Sequence, residues 1–368
     1  MSQNNSFTIQ YTNMIKGVAL LLLLCNHFCV VKDWITPPNE LIDIYIKGKP
    51  LLGYIGAFGK ICVALWAFLS GIGAYYTYKK GIMKAYKGNL VRLTNLMIQY
   101  VLILFIVFIP LIGLMHPVFV GECYDLSVKH IVCNIFACDA EYDKAAWYLR
   151  FYIMFVVSFP LLIWAKRKIK SNKAFYSLVF LIFILFPRLV NPLIGDMILG
   201  TITMTQAFSE YCSYILIVIS GYAVAEYNLF ERVQNRIGKK KNLAVCVIAL
   251  FVAMALRSYT KSINLGIVGV YTDIVITPFV VYAFFVFFQY ANNIVKRLFV
   301  YIGKASMVVW LVHWVFNVGV YEIQRMAYFP KVSYFVILWV LVMCLGFNVV
   351  FSYLINKSHI LIKINKKQ

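Results

Sequence analysis

The chain has 368 residues, of which 62% are hydrophobic and only 13% are charged, and its net charge is +21. A soluble domain carries about a quarter charged residues, and one globular core does not grow large enough to hide so much apolar surface from water. The composition therefore excludes a soluble protein and indicates that lipid is the solvent.

Ten apolar stretches predict transmembrane helices, because about 17–25 residues are needed to cross the hydrocarbon core of a bilayer. Pro187 is expected to end the fifth of them. Since no internal repeat or soluble domain is evident, residues 1–368 are predicted to form a single all-α polytopic membrane domain. In chain order, the predicted spans lie near residues 14–31, 58–78, 91–113, 146–165, 174–190, 211–228, 243–256, 266–288, 300–321 and 333–355.

The distribution of basic residues predicts the orientation of these helices, since cytoplasmic loops carry an excess of lysine and arginine. With the N-terminus in the cytoplasm, 23 Lys and Arg residues fall in cytoplasmic segments and 11 in outer segments. Acidic residues show the reverse bias, with 2 inside and 11 outside. Both termini are therefore predicted to be cytoplasmic. Topology explains the basic charge, so no nucleic-acid partner is expected.

Ionisable residues inside spans are candidate functional residues, because a charge in the bilayer core costs at least about 2.5–3.5 kcal/mol. The first span carries Lys16 near its cytoplasmic end and His27 in its outer half, on one helix face about 16 Å apart. A histidine suits a general base for a hydroxyl nucleophile, because it exchanges a proton near neutral pH. The structural alternative is a histidine hydrogen-bonded at the outer rim, with Lys16 as an ordinary cytoplasmic anchor.

Two further charged residues lie in the outer halves of predicted spans. Arg150 follows the start of the fourth span, and Asp273 precedes Pro278 in the eighth. Arg150 is suited to binding a carbonyl, a carboxylate or a glycan, and snorkelling to the interface is its structural alternative. The similar depth of Arg150 and Asp273 also makes an ion pair between them plausible.

The ninth span carries a stripe of polar side chains around His313. Ser306, Trp310, His313 and Asn317 follow one another at spacings of 4, 3 and 4, which places them on one face of a helix. Such side chains are difficult to satisfy against lipid, so this face is predicted to point into the bundle or a wet cavity. A hydrogen-bonding seam between helices is the interpretation for Ser306 and Asn317, and a role in the site is the interpretation for His313.

Four segments, in this order, resemble motifs of the integral-membrane acyltransferase type 3 family, whose members modify bacterial surface glycans and related molecules. A basic residue followed by glycine, an apolar run and histidine corresponds to IKGVALLLLLCNHF. The Phe–Leu–Ser–Gly signature of the second helix, with its basic loop, corresponds to ICVALWAFLSGIGAYYTYKKG. The Trp–Tyr–Leu motif of the fourth helix corresponds to AAWYLRFYIMF, and the late Ser…Leu–x–His motif to IGKASMVVWLVHWVF.

This resemblance implies transfer of an acyl group, often acetyl, from cytosolic acyl-CoA to a hydroxyl group of a glycan or lipid-linked sugar outside the inner (plasma) membrane. It places His27 at the family's essential histidine and Lys16 at a basic position usually held by arginine, and it likens Arg92 to a basic residue of the cytoplasmic loop. The hypothesis is that Lys16 and Arg92 bind acyl-CoA. His27 acts as general base, Arg150 and His313 complete the catalytic set, and no metal is expected.

A polysaccharide transporter or flippase is the alternative function, because buried histidine, arginine and aspartate side chains in ten spans would serve it equally well. Many transporters contain inverted repeats, and no such repeat is visible in this sequence. The two functions differ in their chemistry, since only an acyltransferase consumes acyl-CoA and leaves an ester.

Overall fold

The computed structural model describes residues 7–29, 41–46, 48–115, 118–119, 122–194, 198–199, 202–237, 239–262, 267–318 and 320–358. Most of these residues are helical. A π-helical turn, Leu104–Phe108, joins α4 to α5, and 3-10 turns precede α7 at Lys144–Ala146 and follow α13 at His313–Asn317. The α-helices are α1 (Ile9–Cys29), α2 (Leu51–Gly59), α3 (Cys62–Tyr78), α4 (Ile82–Ile103), α5 (Ile109–Met115), α6 (Val128–Ile135), α7 (Trp147–Lys168), α8 (Asn172–Ile194), α9 (Met204–Glu226), α10 (Leu229–Ile237), α11 (Lys239–Ser262), α12 (Ile267–Tyr290), α13 (Asn293–Val312), α14 (Tyr321–Ala327) and α15 (Ser333–Ser358).

Strands within the described ranges are confined to three antiparallel hairpins in the loops, each built from two-residue strands. Such short strands cannot form a core, so helix packing alone builds the interior. The pairs are β1 (Tyr45–Ile46) with β2 (Lys49–Pro50), β3 (Val118–Phe119) with β4 (Glu122–Cys123), and β5 (Ile198–Leu199) with β6 (Ile202–Thr203).

Nine helical segments of the described chain are long and apolar enough to cross a membrane, which confirms the predicted all-α polytopic membrane fold. The predicted seventh span, 243–256, lies in α11, which is a helix of 24 residues but is not among these nine. Helix α11 carries three lysines at its start and Arg257 near its end, on either side of the apolar residues 243–256. The nine segments are Ile9–Cys29, Leu51–Tyr78, Ile82–Leu114, Lys144–Lys168, Asn172–Leu193, Met204–Glu226, Tyr271–Tyr290, Asn293–Asn317 and Ser333–Lys357.

The expectation that Pro187 ends the fifth span is wrong. Helix α8 continues through both Pro187 and Pro192 to Ile194. Proline is tolerated inside membrane helices because neighbouring groups and small local adjustments satisfy the freed backbone carbonyls. A rule taken from water-exposed helices therefore placed this boundary too early.

Two close helix crossings organise the bundle, and each depends on a pair of glycines. A methyl group on Gly17 of α1 would lie 2.7 Å from the carbonyl oxygen of Phe299, and one on Gly303 of α13 would collide with the carbonyl of Asn13. Gly71 of α3 and Gly221 of α9 face each other's helices in the same way. Small residues let membrane helices approach to backbone contact, so α1 is fixed against α13 and α3 against α9.

A short segment, residues 124–146, folds over the end of α4 on the predicted outer side, and we call it the outer cap. Its helix α6 begins after Ser127, whose hydroxyl accepts a hydrogen bond from the His130 amide at 3.4 Å. The buried Asn134 ties the cap together, because its carbonyl accepts from the Tyr100 hydroxyl at 2.9 Å and its side-chain oxygen accepts from the Tyr142 amide at 3.2 Å. The outer cap therefore rests on a spanning helix.

Candidate active site

The last turn of α1 and the end of α13 bring His27 and His313 together. The Nδ1 atom of His27 lies 2.8 Å from the Nε2 atom of His313. Neighbouring contacts hold α1 in place, since the Asn26 side-chain amide donates to the Gly56 carbonyl at 2.7 Å and Gly59 packs directly on the Leu22 backbone. Two residues that were predicted as separate candidates on different helices thus form one hydrogen-bonded pair.

The partners of His313 determine which ring nitrogen carries each proton. The Nδ1 atom of His313 lies 2.6 Å from the carbonyl oxygen of Trp310, which can only accept, so this nitrogen carries hydrogen. In the neutral ring, Nε2 of His313 is then an acceptor, and Nδ1 of His27 must donate to it. Nε2 of neutral His27 is consequently the unprotonated, basic nitrogen, as a general base requires.

The polar stripe predicted around His313 faces the protein interior, as expected. Ser306, Trp310, His313 and Asn317 are all buried. The α-helix ends at Val312, however, and His313 begins a 3-10 turn. The tighter turn is compatible with the direct bond from the His313 ring to the carbonyl three residues earlier.

A cavity of about 680 Å³ opens between α7, α8 and α9, and the residues that line it do not include His27 or His313. Lys60, in the turn between α2 and α3, links the two features: it lines the cavity and also acts electrostatically on the His27 imidazole. The cavity combines aromatic walls with hydroxyl, amide and charged groups. Its lining residues are Lys60, Ala140, Trp147, Arg150, Asn191, Thr205, Gln206, Ser209, Glu210, Ser213 and Tyr214.

The structure corrects the ion pair proposed between Arg150 and Asp273. The Arg150 guanidinium donates from Nη2 to the Glu210 carboxylate at 2.8 Å and from Nη1 to the Ala137 carbonyl at 3.3 Å. Asp273 is instead paired with Arg257 on α11, through two hydrogen bonds of 2.7 and 2.8 Å. Each of the two buried charges has its own partner on an adjacent helix, which is how such charges are tolerated within a bilayer.

Arg257 has a second role at the end of α2. Its Nη1 atom donates to the carbonyl oxygens of Ala57 and Phe58, at 3.0 and 3.2 Å. The last carbonyls of a helix lack partners within that helix, and a cation there also complements the helix dipole. The Arg257–Asp273 pair therefore anchors the short helix against which α1 packs next to His27.

Three aromatic side chains, Trp66, Tyr148 and Trp310, form a buried cluster that joins His313 to the wall of the cavity. Their ring centroids are 5.8–6.2 Å apart. Tyr148 also contacts Tyr214 of the cavity wall, at 6.4 Å. Within the described part of the chain, the Trp66 indole N–H has no hydrogen-bond partner of good geometry, and the Tyr148 hydroxyl lies near the Ser70 side chain. Buried donors of this kind are available to a ligand.

Lys16, near the other end of α1, and Arg92, on α4, both lie on the predicted cytoplasmic side. The two cations are close enough to repel each other. Neither forms an ion pair with an acidic residue of the described ranges. Arg92 donates to the side-chain oxygen of Asn89 at 3.2 Å, and Asn89 in turn contacts the Tyr78 hydroxyl at 3.5 Å. Two like charges held together in this way favour an anionic ligand.

Three charged residues of the site, Lys60, Glu210 and Arg257, were not predicted from the sequence. Lys60 had a visible signal, since it interrupts the apolar run LLGYIGAFGKICVALWAFL. Glu210 and Arg257 lie at the edges of predicted spans, where charges are ordinary, so their sequence positions did not distinguish them. Only the packing of α9 against α7 and of α11 against α12 identifies their partners.

Comparison with known protein families matches residues 9–357 to the type 3 acyltransferase family, described as Acyltransferase domain. The match begins with α1 and ends within α15, so it includes the histidine pair, the outer cavity and the paired cations. A search of curated proteins and a search of solved structures each found no match.

Proposed function

The chain belongs to the acyltransferase type 3 family and is a multi-pass membrane acyltransferase, and we propose that it transfers an acyl group, such as acetyl, from acyl-CoA to a hydroxyl group of a glycan. The acceptor is a surface or exported glycan, or a lipid-linked sugar, and the enzyme works in the inner (plasma) membrane among its lipids. The observation that carries this proposal is the 2.8 Å hydrogen bond between His27 and His313.

His27 is the general base of the proposed reaction. It accepts the hydroxyl proton at Nε2 while the hydroxyl oxygen attacks the acyl carbonyl carbon. The hydrogen bond from Nδ1 to His313 keeps the ring oriented, and the Trp310 carbonyl fixes His313 in turn. His27 then gives the proton to the departing sulfur, so that an ester and a free thiol result. His313 therefore acts through His27.

The buried donors of the aromatic cluster suit the acyl carbonyl oxygen. Charge develops on this oxygen as the tetrahedral state forms, and preorganised donors in a dry site stabilise such charge. We assign the role to the Trp66 indole N–H and the Tyr148 hydroxyl, which are buried next to Trp310. Arg150 was expected to belong to the catalytic set and to bind a carbonyl, a carboxylate or a glycan, and its guanidinium is bound to Glu210. We therefore propose that Arg150 contacts the acceptor.

Lys16 and Arg92 fit the phosphate groups of acyl-CoA. The thioester of this co-substrate supplies an activated acyl group. The two cations lie close together without an acidic partner among the described residues, and phosphate oxygens accept hydrogen bonds from both side-chain types. Lys16 and His27 share one helix, about 16 Å apart along its axis. The donor would therefore enter from the cytoplasm and react near the outer end of α1.

The cavity walls support a carbohydrate acceptor. Trp147 and Tyr214 form an aromatic wall, with ring centroids 5.5 Å apart. Aromatic faces pack against the apolar faces of sugar rings, while precisely placed polar groups fix the orientation of a ligand. Asn191, Gln206 and Glu210 supply such groups in this cavity.

Mass spectrometry of the host's surface polysaccharide tests the proposal. Deletion of the gene should remove a base-labile mass increment, and that mass identifies the acyl group. Re-expression of the wild-type chain should restore it, whereas the His27→Ala variant, expressed at equal level, should not. The same substitution at His359, outside the described residues, is the matched control. Unchanged acylation with a lost or shortened glycan would instead indicate transport or polymerisation.

A reconstituted assay tests the donor separately. Wild-type protein in liposomes with acetyl-CoA labelled in the acetyl group should pass the label to a glycan acceptor and release free CoA. Release of CoA without labelled glycan would contradict the proposed class of acceptor, but it would still support acyl-CoA as the donor. Labelled glycan formed in the absence of acyl-CoA would contradict the proposed donor.

A further inference from the structure

The outer cap gathers acidic side chains around one histidine, away from the histidine pair. The Nδ1 atom of His130 lies 3.0 Å from a Glu141 carboxylate oxygen and 3.5 Å from one of Asp139. The three candidate ligand atoms all lie within 4.8 Å of one another. His130 and Glu141 are half-buried, and Asp139 is fully buried.

These separations are those expected between ligands of one small divalent cation. Zinc lies about 2.0–2.2 Å from nitrogen and oxygen ligands, so two ligand atoms are about 3.0 Å apart at octahedral angles and about 3.4 Å at tetrahedral angles. The distances from His130 Nδ1 to the Glu141 and Asp139 carboxylate oxygens, 3.0 and 3.5 Å, lie close to these values. One imidazole with two carboxylates is also a donor set that zinc accepts.

The other nitrogen of His130 supports the same interpretation. Its Nε2 atom lies 3.5 Å from a carboxylate oxygen of Asp125. Histidines that bind metals usually donate their second ring N–H to a carboxylate or carbonyl, which orients the ring and makes it a better ligand. Asp125 is in the position of such a partner, because it lies near Nε2, whereas Asp139 and Glu141 lie near Nδ1.

The charge of the cluster also calls for a cation. Three carboxyl groups, of Asp125, Asp139 and Glu141, surround one imidazole, and Lys129 also acts on Asp125. Asp139 is fully buried and Glu141 is half-buried, so carrying negative charge at this place costs free energy. A divalent cation would offset that cost directly.

We propose that His130, Asp139 and Glu141 form a zinc site, oriented by Asp125, that fixes the outer cap over the cavity. The spacing of these residues in the sequence gave no sign of it, and no metal was expected. The same segment supplies the Ala137 carbonyl, which accepts from Arg150 at 3.3 Å, and Ala140, which lines the cavity. Zinc would therefore stabilise the wall against which the acceptor binds.

Zinc titration of the full-length protein, purified in detergent without an affinity tag and freed of metal with a chelator, tests this proposal. Calorimetry with zinc chloride and elemental analysis should give one tightly bound zinc per chain. Glu141→Gln should weaken binding by at least about tenfold, as should His130→Ala. Asp125→Asn should weaken it by about 10- to 100-fold, the usual effect of an outer partner. Glu322→Gln, on an exposed acidic residue of α14, is the matched control and should bind as the wild type does.

Cys133 and Cys138 lie near the same site and provide the critical comparison. Cys138→Ser should retain full zinc affinity, and zinc should raise the thermal unfolding temperature of this variant as it does for the wild type. Zinc binding that is lost in Cys138→Ser and retained in Glu141→Gln would overturn the proposal. Absence of stoichiometric binding to the wild type would also overturn it, and the cluster would then be a network of ion pairs.

Discussion

The Nδ1 atom of His27 lies 2.8 Å from the Nε2 atom of His313, although 286 positions separate the two residues in the chain. A carboxylate partner would add negative charge next to His27, whereas a neutral imidazole adds none. His313 therefore contributes orientation: it holds the His27 ring with Nε2 as the basic atom. The crossing of α1 and α13 at Gly17 and Gly303 makes this contact possible, because it brings the two backbones together.

Replacing His313 should lower turnover without changing donor affinity. We expect His313→Ala to reduce kcat by about 10²-fold or more, within the range of general-base and orienting effects, and to leave KM for acyl-CoA unchanged. His313→Gln should recover at least part of this loss, because its amide oxygen can accept the hydrogen bond from His27 Nδ1. Steady-state kinetics in liposomes measures both. Equal losses in the Ala and Gln variants, or a raised KM alone, would contradict the orienting role.

The aromatic cluster allows a test that removes single polar atoms and keeps the rings. We expect Tyr148→Phe and Trp66→Phe each to lower kcat by about 10²- to 10³-fold with little change in KM, as for the loss of one oxyanion donor. Tyr75→Phe, on α3 as Trp66 is, controls for the removal of an aromatic hydroxyl. The measurement is kcat and KM of the three variants with the same acceptor. Full activity in Tyr148→Phe and Trp66→Phe would exclude both donors.

The paired cations should control donor affinity. We expect Lys16→Ala and Arg92→Ala each to raise KM for acyl-CoA by about 10- to 100-fold, since hydrogen bonds to charged groups contribute about 1.5–3 kcal/mol. Lys84→Ala, on an exposed residue of α4 eight positions before Arg92, is the matched control. The measurement is initial rate against acyl-CoA concentration. A fall in kcat with KM unchanged in both variants would contradict phosphate binding by this pair.

Features that depend on local chemistry could be predicted from the sequence. The length and apolarity of the spans predicted the helices, and the spacing around His313 predicted the face that is buried. The distance between Lys16 and His27 could be predicted because both residues lie on one continuous helix, whose rise per residue is known. Each of these properties depends on residues close together in the chain, so the periodicity of the sequence is sufficient to predict them.

Long-range pairing could not be predicted from one sequence. Because Arg150 and Asp273 lie at similar depth in the membrane, the sequence suggested that they form an ion pair. Depth does not specify which helices are neighbours, however. Arg150 binds Glu210, because α7 packs beside α9, and Asp273 binds Arg257, because α11 packs beside α12. Lys60 acquires its place near His27 only because α2 packs on α1.

The Arg257–Asp273 pair should be important for stability. Removing one member leaves a buried charge without its partner, so we expect Asp273→Asn or Arg257→Met to destabilise the protein by about 3–5 kcal/mol. The double variant Arg257→Met/Asp273→Asn should lose less than the two single losses combined. Thermal unfolding in detergent measures all three, with the exposed Arg232→Met as control. Additive losses would show that the two side chains do not stabilise each other.

The glycines of α3 offer a matched pair, two residues apart on one helix, that tests the α3–α9 crossing. A methyl group on Gly71 would collide with the Val218 carbonyl, whereas one on Gly73 would meet nothing within 4 Å. We expect Gly71→Ala to destabilise the protein by about 1–3 kcal/mol, as overpacking does. Gly73→Ala should be neutral or slightly stabilising, because alanine is the better helix former.

The same pair of variants connects this packing to catalysis. Helix α3 carries Trp66, and α9 carries Glu210 and Tyr214 of the cavity wall, so the crossing sets the distance between the proposed carbonyl donor and the acceptor site. Gly71→Ala should therefore lower kcat as well as the unfolding temperature, while Gly73→Ala should change neither by much. Unfolding and kinetics measured on the same preparations separate the two effects. If Gly71→Ala loses stability but keeps full kcat at a temperature where it remains folded, the crossing supports the fold without positioning the site.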